Sequence, residues 1–327
     1  MKILWIIHGY VPILNAGAEF YAHNLNKYLI TRGHSIVVLL PKKYSNYENS
    51  NMVYEDITIS IAETTQERNK LIEWCDIIMT HLDFTNSVVE YIKNRRPIVW
   101  VSHNTYFDSY KYLNNNDNIS IIYNSNAMKN ISKEYFNNDS IVLRPSINLK
   151  RQKDIINADN KKNCYITLIN CNLNKGGHIL EKIANEMPDK NFLAIIGGYA
   201  EQHLTFPKNV KILPHTKNIQ EIYDQTRIIL MPSSYESWGM VASEAMLNGI
   251  PVIANKTFGL EENLDEAGTY CDLNNIEQWK KSIILLDNEK IYEAKMIKSL
   301  QRAEEQYNTN ILELRNCEKF LLNKIRI

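Results

Sequence analysis

The stretch Met231-Pro-Ser-Ser-Tyr-Glu236-Ser-Trp-Gly239-Met-Val-Ala-Ser-Glu244-Ala-Met-Leu-Asn-Gly249-Ile-Pro251-Val-Ile-Ala254 holds a complete structural cycle. Ile228–Met231 before and into it is a short apolar run of strand length. Pro232–Gly239 reads as a loop, Met240–Leu247 as a helix, and Pro251–Ala254 as a second strand. Strand, helix and parallel strand make a crossover unit, the building block of an α/β sheet. Glu236 falls in the loop and Glu244 about two turns into the helix. Ser237 and Gly239 stand at the helix start, where free N–H groups and the helix dipole suit a diphosphate. Glu244 is able to accept hydrogen bonds from two vicinal hydroxyls, as ribose offers, and Glu236 from a hexose. From spacing alone both equally fit solvated acids at a helix start.

Outward from this block the same alternation fills the chain. In the first half, strand-like runs at Ile3–Ile7, Ser35–Leu40, Asp76–Thr80, Ile98–Val101, Ile119–Tyr123 and Ile141–Leu143 alternate with helix-like segments. Among the helix-like segments are Glu19–Thr31 (closed by Gly33), Asn86–Lys93 and Ala127–Phe136. Continuously apolar short strands are those buried on both faces, as in parallel sheets. Residues 148–163 are polar and charged and read as a linker. Alternation restarts at Tyr165–Asn170 and runs through His178–Met187, Phe192–Ile196, Val210–Leu213 and Ile219–Gln225. From about Asn274 the pattern is helical. The expectation is an α/β chain of two doubly wound domains, 1–147 and 148–327, the second including the terminal helices. Ligands of such sheets bind at the carboxyl ends of the strands.

Bulk properties narrow the function class. At 327 residues the chain exceeds a single core of about 250–300 residues. Thirty-seven Lys plus Arg balance 37 Asp plus Glu, which gives no support to a dedicated nucleic-acid binder. The cysteines Cys75, Cys164, Cys171, Cys271 and Cys317 are scattered, with no C-x-x-C pair, and read as reduced thiols of a cytoplasmic protein. No run approaches the length of a membrane helix, and a peripheral membrane contact stays open. Lys93-Asn-Arg-Arg96 and Lys42-Lys43 read as solvated surface or as contacts to anionic lipid or polymer.

Met231-Pro-Ser, Glu236-Ser-Trp-Gly239, Glu244-Ala-Met246 and Gly249-Ile-Pro-Val252 together resemble the signature of the retaining GT-B glycosyltransferases grouped as family 4. Three further segments agree: His8-Gly-Tyr-Val-Pro12 with Gly17-Ala-Glu19, Arg32-Gly-His34, and Asn174-Lys-Gly-Gly177. The resemblance implies two Rossmann-like domains facing a central cleft, an acceptor-binding one at 1–147 and a nucleotide-sugar-binding one at 148–327. It implies a donor-sugar contact for Glu236, a ribose contact for Glu244, and neutralisation of the leaving diphosphate by Lys175. His103, at the end of its strand, is implied to face the donor sugar and β-phosphate. Gly17, His215 and the segment Ser237, Trp238, Gly239, Met240 and Val241 complete the implied donor contacts. His34 reads as structural. Two departures stand out. Ala16 replaces a glycine of the first loop, and Asn170 stands near the family's usual phosphate-binding Arg, for which Arg144 is the candidate substitute.

The chain has no Asp-x-Asp, the motif with which another transferase fold holds a divalent ion. With Lys175 and the helix start in place, the expectation is metal-independent chemistry with no cofactor. The donor is then a UDP- or GDP-sugar. The acceptor is a glycan, a lipid-linked saccharide or another hydroxyl-bearing molecule, with modified nucleic acid among the open classes. Two alternatives carry less of the pattern: a GT-B nucleotide-sugar epimerase, and a non-catalytic nucleotide-sugar-binding subunit. A dinucleotide oxidoreductase lacks its G-x-G-x-x-G.

Overall fold

The computed structural model describes residues 1–14, 16–41, 51–62, 64–82, 84–147, 164–198, 200–216 and 218–325. Lys42-Lys43 and the linker 148–163 lie outside them. The chain divides into two compact units, Met1–Ser146 with Asn310–Ile327, and Ile147–Thr309. It is an α/β protein with one Rossmann-like parallel sheet in each unit.

The first unit carries β1 (Lys2–Ile6), β2 (Ser35–Leu40), β3 (Asn51–Tyr54), β4 (Ile57–Ile61), β5 (Ile77–His81), β6 (Ile98–Ser102), β7 (Ile119–Tyr123) and β8 (Ser140–Val142). They lie in the order β3-β4-β2-β1-β5-β6-β7-β8. All pairs are parallel except the edge pair β3–β4. β5, β6 and β7 are buried at every position, as two-sided burial demands of apolar runs. β3, β4 and the helix Thr65–Trp74 fall between Leu40 and Asp76, where the sequence pattern marks no element. That helix starts on a reciprocal capping box, Thr64 with Glu67.

The second unit carries β9 (Tyr165–Ile169), β10 (Phe192–Ile195), β11 (Val210–Leu213), β12 (Thr226–Met231), β13 (Val252–Asn255) and β14 (Thr269–Cys271). Their order is β11-β10-β9-β12-β13-β14, parallel throughout. In each sheet the chain winds first to one side of a central strand and then to the other. The reversal falls between β1 and β5 in the first unit and between β9 and β12 in the second. Loops leaving adjacent strands part company there and open a crevice for ligands.

The end of the chain differs from the expected division. The helix Glu289–Lys324 runs 36 residues, and its last part belongs to the first unit, not the second. The reason is an apolar stripe at helical spacing. Cys317, Phe320 and Leu321 are buried in one cluster with Ile3, Trp5, Leu25 and Leu29. Polar contacts fix the register. Glu318 accepts from Arg32 Nε at 3.0 Å and pairs with His34 Nε2 at 3.0 Å, so His34 is structural. Leu321 is fully buried. Leu321→Ala should therefore destabilise the protein by about 2–5 kcal/mol, read as a lowered denaturation midpoint of the first unit. Among the described residues no helix is long and apolar enough to cross a membrane.

Candidate functional site

The second unit's crevice is built by the loops after β9 and β12. Asn172 accepts a hydrogen bond from the Lys175 N–H at 2.9 Å, and this turn ends at Gly176 with φ +86°. A Cβ on Gly176 would lie 2.4 Å from the Pro232 carbonyl oxygen. Glycine thus serves twice, for the left-handed backbone and for the close approach of the two loops. The Ser234 N–H donates to the Asn174 carbonyl at 2.9 Å and joins the loops directly.

This junction brings two expected residues together across the switch point. Lys175 Nζ donates to Glu236 Oε1 at 2.5 Å, and Ser233 Oγ donates to the same oxygen at 2.9 Å. Glu236 is buried, with 9% exposure. Gly239, at φ +89°, turns the chain into the helix Met240–Leu247. Asn263 Nδ2 holds that turn by donating to the carbonyls of Trp238 and Gly239, both at 3.0 Å.

Glu244 projects from that helix. Its Oε2 accepts from the buried Tyr223 hydroxyl at 2.5 Å. Burial raises the Glu244 pKa, and the Tyr223 hydrogen bond partly offsets this. Tyr223 was not legible as a partner, because nothing in a separation of 21 residues marks the pair.

Other donor-contact expectations are placed differently. The Trp238 indole is buried and donates to Ser243 Oγ at 3.1 Å. The side chain is 2% exposed and packs into the loop. Met240 and Val241 open the helix, and Ser237 precedes Gly239 in the loop, all partly exposed. His215 is exposed in the loop after β11, and its ring would lie 3.4 Å from a Cβ on Gly198. Asn170, in place of the family's Arg, adopts φ +71° and tucks against Gly197, where an added Cβ would lie 2.3 Å from its side chain. Arg144, the candidate substitute, lies in the first unit. Its guanidinium pairs with Glu313, whose other oxygen accepts from the Arg144 N–H at 2.8 Å. That pairing is a sufficient structural reason for an arginine here.

In the first unit, Gly17 opens the helix Gly17–Thr31 and is exposed. Ala16 before it has φ −124°, which needs no glycine. His103 follows β6, with its ring edge-on to Tyr21 at 5.1 Å and to His81 at 5.2 Å. Burial brings the His103 pKa down to about 3, so its ring is neutral near pH 7. His81, the last residue of β5, is fully buried and escaped the sequence pattern because it ends an apolar run. Its pKa is held well below the usual value by burial, and then by His103 and His8. Glu19, in the first turn of its helix, is buried 3.7 Å from His8 Nε2 and is pushed up to about 7 by burial.

Comparison with known proteins falls on the same half of the chain. Residues 149–303 match the family Glycosyl transferases group 1. The match covers nearly all of the second unit, including Lys175, Glu236 and Glu244. An uncharacterized glycosyltransferase of Haemophilus influenzae is 27% identical over 146 residues, 41% of this chain and 41% of that protein. The match thus spans about two-fifths of that relative. Among solved structures, sucrose-phosphate synthase of Thermosynechococcus elongatus aligns at TM-score 0.79 and 14% identity, over 98% of this chain and 99% of its own. Anabaena HepE in complex with UDP-glucose aligns at TM-score 0.75 and 17% identity, over 98% of this chain and 100% of its own. At such identities these structures speak for the fold, which is that of GT-B proteins.

Proposed function

We propose that this protein is a glycosyltransferase that moves a sugar from a nucleotide diphosphate sugar to a hydroxyl acceptor, with retention at the anomeric carbon. The observation that carries the reading is the Lys175–Glu236 contact across the β9–β12 switch point, with Glu244 on the helix that follows. An ammonium has three donors, so Lys175 keeps Glu236 in place and still reaches an oxygen of the departing diphosphate. The start of the helix Met240–Leu247 adds dipole and N–H groups for the same charge. Glu236 orients a donor-sugar hydroxyl, and Glu244 accepts from the ribose diol. His103, neutral and at a strand end, is the first unit's candidate for a contact to the sugar.

In this mechanism the diphosphate oxygen that leaves the anomeric carbon takes the acceptor's proton on the same face. No side-chain base is needed, and Lys175 supplies the compensating charge without a metal on the diphosphate. UDP is the favoured carrier and GDP the next, a reading supported by HepE, whose structure holds UDP-glucose. The acceptor class is a glycan or lipid-linked saccharide, and the compartment the cytoplasm. A thermal-shift screen of UDP-, GDP- and ADP-sugars identifies the donor, because a bound donor raises the unfolding midpoint by mass action. NMR of the product's anomeric configuration then tests retention. An inverted product would refute the same-face mechanism. Isomerised sugar from donor alone would replace transfer with epimerisation.

Protonation of Glu244 gives a second test. Only the carboxylate accepts from both ribose hydroxyls, and burial moves the loss of that charge above the ordinary 4.5. Nucleotide affinity should therefore weaken as pH falls, beginning above that value. Glu244→Gln should lose this component of the slope. Titration calorimetry with UDP from pH 8 to 5 measures both, and identical slopes for the two proteins would exclude the ribose role.

A further inference from the structure

The switch point of the first unit holds a cluster that the proposed transfer chemistry does not use. His8 leaves the end of β1, His81 ends the adjacent β5, and Glu19 reaches in from the first turn of the helix Gly17–Thr31. One ligand atom from each lies within 4.8 Å of those of the other two. Glu19 is 1% exposed and His81 fully buried. Both ring nitrogens of His81 lack a hydrogen-bond partner among the described residues. An imidazole buried with both nitrogens unsatisfied is costly, which calls for a ligand or bound solvent at this point.

We propose that His8, Glu19 and His81 bind one borderline divalent transition ion of the Zn2+ and Co2+ class. Two imidazoles and one carboxylate form the donor set that Zn2+ takes with three protein ligands, leaving a further position for water or a substrate oxygen. A single carboxylate and two nitrogens disfavour Mg2+ and Ca2+, which require mostly oxygen ligands. The three residues come from three elements that meet only in the folded sheet. A bound ion would therefore fasten the loop after β1 and the start of the helix to β5. The His103 ring lies edge-on to His81 at 5.2 Å and stands beside the cluster. The site belongs to the first unit alone and is independent of Lys175, Glu236 and Glu244.

Chelator-stripped full-length protein titrated with Co2+ tests this through the visible d–d absorption, alongside Zn2+ calorimetry. One ion per chain is expected, with a raised thermal midpoint and nitrogen–oxygen ligation. His8→Gln and Glu19→Gln should each weaken affinity by at least about tenfold. His8 is only partly buried, so its variant keeps the fold, as circular dichroism will verify. Absence of binding by the wild-type chain overturns the proposal. Binding unchanged in His8→Gln, or a thiolate charge-transfer band pointing to the exposed Cys164, does the same. UDP titration of the same samples reports on the donor site separately, so failure of one reading is distinguishable from failure of the other.

Discussion

Lys175→Ala should lower kcat/KM for transfer by about 100- to 1,000-fold, a loss of roughly 2.7–4 kcal/mol of transition-state stabilisation. The Lys175 ammonium is set against the acid of the β12 loop, at 2.5 Å from Glu236. Charge on the diphosphate grows as the glycosidic bond breaks, so the loss should fall mainly on kcat. Truncation also removes one of the two side chains that hold Glu236, leaving Ser233 among the described residues, and the loop is then held less firmly. Lys175→Arg separates the two effects. It retains charge with a different geometry and should recover part of the activity. Steady-state kinetics with the donor found by thermal shift provide the measurement. A loss smaller than about tenfold in Lys175→Ala would remove the leaving-group role.

Glu244→Ala should weaken nucleotide and nucleotide-sugar binding alike, by about 100-fold or more. Hydrogen bonds to a charged partner contribute about 1.5–3 kcal/mol each, and a ribose diol offers two. Both ligands carry the ribose, so the fold-change should be the same for UDP and UDP-sugar. A change confined to the sugar nucleotide would move Glu244 from ribose to sugar. The variant also strands the Tyr223 hydroxyl, which is buried beneath the carboxylate. Tyr223→Phe together with Glu244→Ala distinguishes that structural cost from lost ligand contact. Calorimetry on the single and double variants gives the comparison.

The crossover units were readable because their physics is local. Apolar runs of strand length, helical spacing between them, and Gly33, Gly176 and Gly239 at turns each follow from a few neighbouring residues. The same holds for the loop that carries Glu236. What local pattern does not encode is partner choice. Cys317, Phe320 and Leu321 announce a buried helix face but not which sheet receives it. Arg144 is a candidate for a phosphate by its sequence context, and its partner Glu313, 169 residues away, is invisible to that context. Trp238, beside a signature glycine, turned out to pack inward on Ser243. His81 was hidden for the opposite reason, since a histidine ending a run of buried strand residues reads as core.

The return of residues 310–327 to the first unit has a consequence for biosynthesis. The ribosome makes the chain from its amino end, and domains generally close as they emerge. Here the first sheet is synthesised early, yet the side chains that cover part of it follow only after the whole second unit. Until Cys317, Phe320 and Leu321 leave the exit tunnel, the patch around Ile3, Trp5 and Leu29 has no lid. The second unit, with all its strands between Tyr165 and Cys271, is free to close sooner. The nascent chain thus carries an open apolar surface while the whole second unit is made, a ready site for chaperone attention.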